Sequence, residues 1–91
     1  MSVAERIREK LTSELAPSRL AIVDDSARHA GHAGAHPEGE SHFTVTIVAA
    51  AFAGLGRVAR QRLVYRILAD ELATRVHALS LTTLAPEEDS G

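Results

Sequence analysis

Five histidines and no cysteine define the metal chemistry open to this 91-residue chain. Neutral imidazole binds zinc, copper, iron or nickel. A disulfide, a cysteine nucleophile or a thiolate-held metal would need a second protein. Four of the five histidines, His29, His32, His36 and His42, fall within fourteen residues. In His29-Ala30-Gly31-His32-Ala33-Gly34-Ala35-His36 the spacings of three and four resemble ligand spacings, with no cysteine or acid fixed beside them. Two readings stand here: a solvated polar loop whose histidines act on nothing, or a loop that takes metal. His77 stands apart, directly after a helical stretch and in phase with Leu79 and Leu81. A histidine at such a junction is either a hydrogen-bonded structural residue or a rigidly held ligand. His42 opens an alternating segment and reads as structural.

A second cluster is cationic. Arg57, Arg60, Arg62 and Arg66 lie within ten residues, and Lys10 is the only lysine. Arginine suits planar, bidentate contact with carboxylate or phosphate. Arginines near a helix N-terminus suit a phosphate, because the backbone N–H groups add to their charge. The alternative is a solvated helix face balanced by Glu5, Glu9, Asp70 and Glu71. No Ser-His-Asp order, phosphate loop or paired carboxylate supports catalysis, and the adjacent Asp24 and Asp25 diverge on a strand end.

These residues need elements to hold them. Ser2 and Glu5 read as a capping box. Val3, Ile7, Leu11 and Leu15 follow at four-residue intervals, which predicts an amphipathic helix stopped by Pro17. Leu20–Asp24 reads as a strand. Residues 25–41, rich in glycine and polar residues, read as a long loop, a length that usually signals function or disorder. Phe43, Val45 and Ile47 alternate with Thr44 and Thr46, the clearest strand pattern in the chain. Arg57–Thr74 is helical in period, with Val64, Ile67, Leu68 and Leu72 on the buried face and Asp70 and Glu71 outside it. The glycines before it leave room for a separate short helix ahead of the long one. Val76–Leu84 reads as a last strand, with His77, Leu79 and Leu81 on one face. An α+β fold follows, its helices on one face of a mixed three-stranded sheet. Residues 1–84 form one domain, and 85–91 an acidic, frayed tail.

Composition sets the outer limits. The chain is 45% hydrophobic and 24% charged, values of an ordinary globular domain rather than a disordered one. A net charge of −2 exerts no global pull on nucleic acid or anionic membrane. No apolar run approaches the roughly 20 residues that cross a bilayer. A small cytoplasmic protein is the expectation.

Taken in order, several segments resemble the BolA family. They are Val23-Asp24-Asp25-Ser26, Gly39-Glu40-Ser41-His42-Phe43, Phe52-Ala53-Gly54-Leu55-Gly56-Arg57, Arg60-Gln61-Arg62-Leu63-Val64-Tyr65, and Leu72 with Val76-His77-Ala78-Leu79. The resemblance spans residues 3–84 and implies an α-β-β-α-α-β fold similar to the class II KH architecture. Gln61 stands where the family usually has the histidine of Arg-His-Arg, so no role of that histidine carries over. No Gly-x-x-Gly lies between the two central helices, which removes the clamp by which KH domains hold RNA.

The resemblance implies a non-enzymatic adaptor. It would pair with a monothiol glutaredoxin, with glutathione, and share a [2Fe-2S] cluster in iron–sulfur trafficking or iron sensing. The family's ligands map onto His77 and onto a loop histidine, best matched by His29, with His32 close behind. Such a centre takes four ligands, and histidine can replace two thiolates on one iron. Two imidazoles here and two thiolates from a partner would complete the set, and alone the chain would be a cluster-free monomer or weak homodimer. The family's other implied function is a DNA-binding regulator of morphology and stress response, which would use Arg57, Arg60, Arg62 and Arg66. A third reading is metal buffering by the histidine loop.

Overall fold

The computed structural model describes residues 2–25 and 42–89. The N-terminal helix α1 (Val3–Leu15) starts at the expected capping box. Ser2 Oγ accepts from the Glu5 N–H at 3.1 Å, and Glu5 Oε1 accepts from the Ser2 N–H at 3.1 Å. These bonds hold the Glu5 carboxyl below its ordinary range, the backbone bond contributing most. Val3, Ile7, Leu11 and Leu15 are all buried, as their spacing requires.

The helix ends at Ala16, whose φ of 44° is the only positive value on a non-glycine residue among those described. A left-handed cap favours glycine, because a Cβ is strained there. Ala16→Gly is therefore expected to stabilise the protein by about 0.5–1 kcal/mol in urea denaturation. No change, or a loss, would mean that this cap is relaxed with alanine.

Strand β1 (Arg19–Asp24) pairs antiparallel with β2 (His42–Val48), which pairs parallel with β3 (Ala78–Leu84). The sheet order is β1-β2-β3. Phe43, Val45 and Ile47 face the helices and are buried, while Ala21, Ser80 and Thr82 lie on the open face and are exposed. A parallel pair needs a crossover, and here two helices supply it. A short 3-10 turn at Ala50–Phe52 leads through Gly54 (φ 81°) to α2 (Arg57–Ile67), then α3 (Ala69–Thr74). The core joins the α1 stripe to Phe43, Val45, Ile47, Phe52, Val64, Leu68 and Val76. The α+β order and the mixed three-stranded sheet agree with the sequence-based expectation.

Several details differ from that expectation. The short helix follows the long one. Leu68, at φ −100° and ψ 19°, breaks the run while remaining buried, so the chain changes direction around a core side chain. Glu71 is buried at 3% exposure, not outside the apolar face. Its place four residues after Ile67 and seven after Val64 puts it on the buried stripe. Lys10 Nζ meets its Oε1 at 2.8 Å and Asp70 Oδ2 at 3.7 Å, which ties α1 to α3. Hydrogen bonding to Glu71 is the main cause that raises the Lys10 ammonium above its ordinary range. The stretch expected to fray makes contacts through Asp89. Pro86–Glu88 is a 3-10 turn, and Asp89 receives the Arg19 guanidinium in two bonds of 2.6 and 3.1 Å.

Candidate metal-ligand site at one end of the sheet

Parallel pairing of β2 with β3 gathers three chain segments at one end of the sheet. His42 and Ala78 are register partners, so His77 sits one residue before β3, beside the start of β2. It precedes the strand rather than lying within it, and it is exposed. Its neighbour Val76 is buried at 6% exposure, and the Val76 N–H donates to the Glu71 carbonyl at 2.8 Å. His77 is thus presented to solvent between an anchored residue and a hydrogen-bonded strand.

The same end holds the two anchors of the segment that joins β1 to β2. The Asp25 N–H donates to the His42 carbonyl at 2.7 Å, and the Thr44 hydroxyl donates to the Asp25 carboxylate. The stretch carrying His29, His32 and His36 leaves at Asp25 and returns at His42, next to His77 in the sheet register. Those three histidines lie outside the described residues. The imidazole that the described residues do bring to His77 is His42, with ring centroids 6.3 Å apart and planes tilted by 31°. Sequence reading assigned His42 a structural role. The available signal was its position at the head of β2, but its partner depends on a strand that begins 36 residues later.

As a donor set the described residues bring two imidazoles together here. Among the described residues no group of three or more His, Cys, Asp or Glu side chains could hold a metal ion. The chain has no thiol. An exposed imidazole on an anchored backbone is compatible with a metal whose remaining ligands come from elsewhere.

The four arginines do not form one surface. At about 100° per residue, Arg57 and Arg66 point to roughly opposite sides of α2, whereas Arg62 and Arg66 lie about 40° apart. Arg60 has a structural task. Its guanidinium donates to the carbonyls of Leu55 (2.8 Å) and Thr83 (3.0 Å) and to Glu88 (2.6 Å), and lies 5.9 Å from the centre of the Phe52 ring. Only 11% of that side chain is exposed. The bond from Arg60 is the main cause that holds the Glu88 carboxyl below its ordinary range. Arg57, Arg62 and Arg66 remain exposed.

The chain as a whole is similar to known proteins. The family model described as BolA-like protein matches residues 11–88. The chain is 49% identical over 87 residues to Protein BOLA1, chloroplastic, of Arabidopsis thaliana, covering 93% of this chain and 54% of that protein. It therefore spans about half the length of that relative. It is 44% identical over 91 residues to the DNA-binding transcriptional regulator BolA of Escherichia coli, covering all of this chain and 83% of the relative. The solved structure of BolA1 from Arabidopsis thaliana superposes with a TM-score of 0.88 at 47% identity, covering 98% of this chain and 97% of that one.

Proposed function

Since the chain belongs to the BolA-like protein family, we propose that it is a non-enzymatic adaptor that pairs with a monothiol glutaredoxin and shares a [2Fe-2S] cluster. The observation that carries this reading is an exposed His77 at the sheet end where the His29/His32 segment is anchored, on a chain without cysteine. His77 and a loop histidine, His29 or His32, would supply two imidazoles. The partner, with glutathione, would supply the thiolates. The cluster is cargo or signal here, and imidazole ligation makes its retention sensitive to protonation of the ligands, which suits trafficking or iron sensing. A cytoplasm that keeps thiols reduced would suit such a pair, although the Arabidopsis relative's name includes chloroplastic.

Co-purification with a monothiol glutaredoxin and glutathione tests the reading. The isolated chain is expected to be colourless and to keep no cluster after reconstitution. The pair is expected to give a coloured heterodimer with iron in proportion. A stable [2Fe-2S] spectrum from this chain alone would sink the proposal.

The name of the Escherichia coli relative favours a second reading, a DNA-binding regulator. Arg57, Arg62 and Arg66 are the exposed members of the arginine set, while Arg60 serves the fold. Two or three phosphate contacts predict that log K falls with log salt at a slope of about −2 to −3. Such contacts position a protein without reading sequence. The double substitution Arg62→Ala/Arg66→Ala is expected to weaken a specific and a scrambled duplex alike and to spare glutaredoxin pairing. Strong preference for the specific duplex at physiological salt would make the regulator reading primary.

A further inference from the structure

The pairing of His42 with His77 is not explained by a site built from His77 and a loop histidine. Both side chains belong to the sheet end, and their backbones are fixed by the same register, His42 against Ala78. Their ring centroids are 6.3 Å apart. Metal–nitrogen bonds of about 2.0–2.1 Å put two imidazoles on one ion with centroids roughly 5–6.5 Å apart, depending on the angle at the metal. The observed separation lies at the wide end of that range, so the rings would have to approach by about an ångström to meet one tetrahedral ion. The local charge also suits a cation. The Asp25 carboxylate sits at the same strand end, held by the Thr44 hydroxyl, and the Asp25 N–H is bonded to the His42 carbonyl.

We infer that His42 and His77 form a two-imidazole site for one borderline divalent cation, of the Cu2+ or Zn2+ type, on this chain alone. Neutral imidazole is the right donor for such ions, and affinity among them peaks at Cu2+. Among the described residues no third His, Cys, Asp or Glu is in place, so in a chain lacking the loop histidines water would fill the remaining positions. The inference shares His77 with the proposed function but requires neither the glutaredoxin nor a loop histidine. It also gives His42 a role. An ion on the pair engages the imidazole that a shared cluster would need, so metal loading and cluster loading compete for His77.

The test uses the full chain with His29→Ala, His32→Ala and His36→Ala, which removes the competing loop ligands. Cu2+ is titrated alone, followed by fluorescence or calorimetry and by the nitrogen couplings in its paramagnetic resonance spectrum. One equivalent is expected to bind through two imidazoles, and Zn2+ is expected to bind the same site more weakly and to be displaced by Cu2+. Adding His77→Ala or His42→Ala is each expected to weaken binding on the order of ten-fold or more. Circular dichroism checks that each variant is folded, and His42→Gln replaces His42→Ala if the latter unfolds. Copper binding that survives both substitutions, or that is lost with His77→Ala but unchanged by a folded His42 variant, would overturn the inference. Copper binding by the isolated chain decides this inference, while colour in the glutaredoxin complex decides the earlier reading, so either can fail without the other.

Discussion

His77→Ala is expected to cost the glutaredoxin complex most of its visible absorption, with cluster retention falling on the order of ten-fold or more. A single change at His29, His32 or His36 is expected to cost less. Three histidines fall within residues 29–36, and one can replace another as ligand. His77 is held just before β3, and the imidazole beside it among the described residues, His42, lies on another strand with its ring centre 6.3 Å away. Because His77 is exposed, folding stability should change by no more than about 0.5 kcal/mol. Thermal unfolding of the isolated variant therefore separates loss of a ligand from loss of fold. The measurement is the visible spectrum and iron content of the purified complex, variant against parent, before and after a fixed time in buffer. Equal losses from His36→Ala and His77→Ala would contradict the assignment of His77 as the anchored ligand.

Phe52→Ala is expected to be the most damaging single change to the fold among those considered. The ring is fully buried. Truncating a buried phenylalanine costs about 3–5 kcal/mol through lost transfer energy and the cavity left behind. Small domains hold only about 5–15 kcal/mol in total. The Arg60 guanidinium over the ring, 5.9 Å from its centre, adds a cation–π contact of about 0.5–1 kcal/mol at a partly exposed site. Arg60 in turn joins the Leu55 and Thr83 carbonyls to Glu88. Losing the ring should loosen the connection between the start of α2 and the end of β3. At about 3 kcal/mol, the low end of the truncation cost, the melting temperature falls by about 12 °C or more. Val58→Ala, at a residue 62% exposed, serves as the control and should stay within about 0.5 kcal/mol. A Phe52→Ala cost below about 1 kcal/mol would show that this part of the core is not closely packed.

Local periodicity in the sequence determined most of the elements. A helix repeats about every 3.6 residues and a strand every two, so Val3, Ile7, Leu11 and Leu15 declare one buried face and Phe43, Val45 and Ile47 another. Both faces are buried in the structure. The absence of cysteine and the ordered family segments likewise needed no coordinates. Glu71 was legible in its spacing, yet a carboxylate on a buried stripe is acceptable only with a partner, and Lys10 comes from a helix 61 residues earlier. Arg60 looked like its neighbours because its partners, Thr83 and Glu88, lie 23 and 28 residues away. Helical phase alone already separated Arg57 from Arg66, but only packing showed which guanidinium serves the fold. The same holds at the candidate metal-ligand site. Side-chain type marked His77 as a candidate, but its distance to another imidazole depends on strand order and register. Those are set by pairing between distant segments and by burial of one sheet face, since a one-residue slip would turn every side chain to the opposite face. Tertiary structure therefore decided that His42 is the histidine brought against His77 among the described residues.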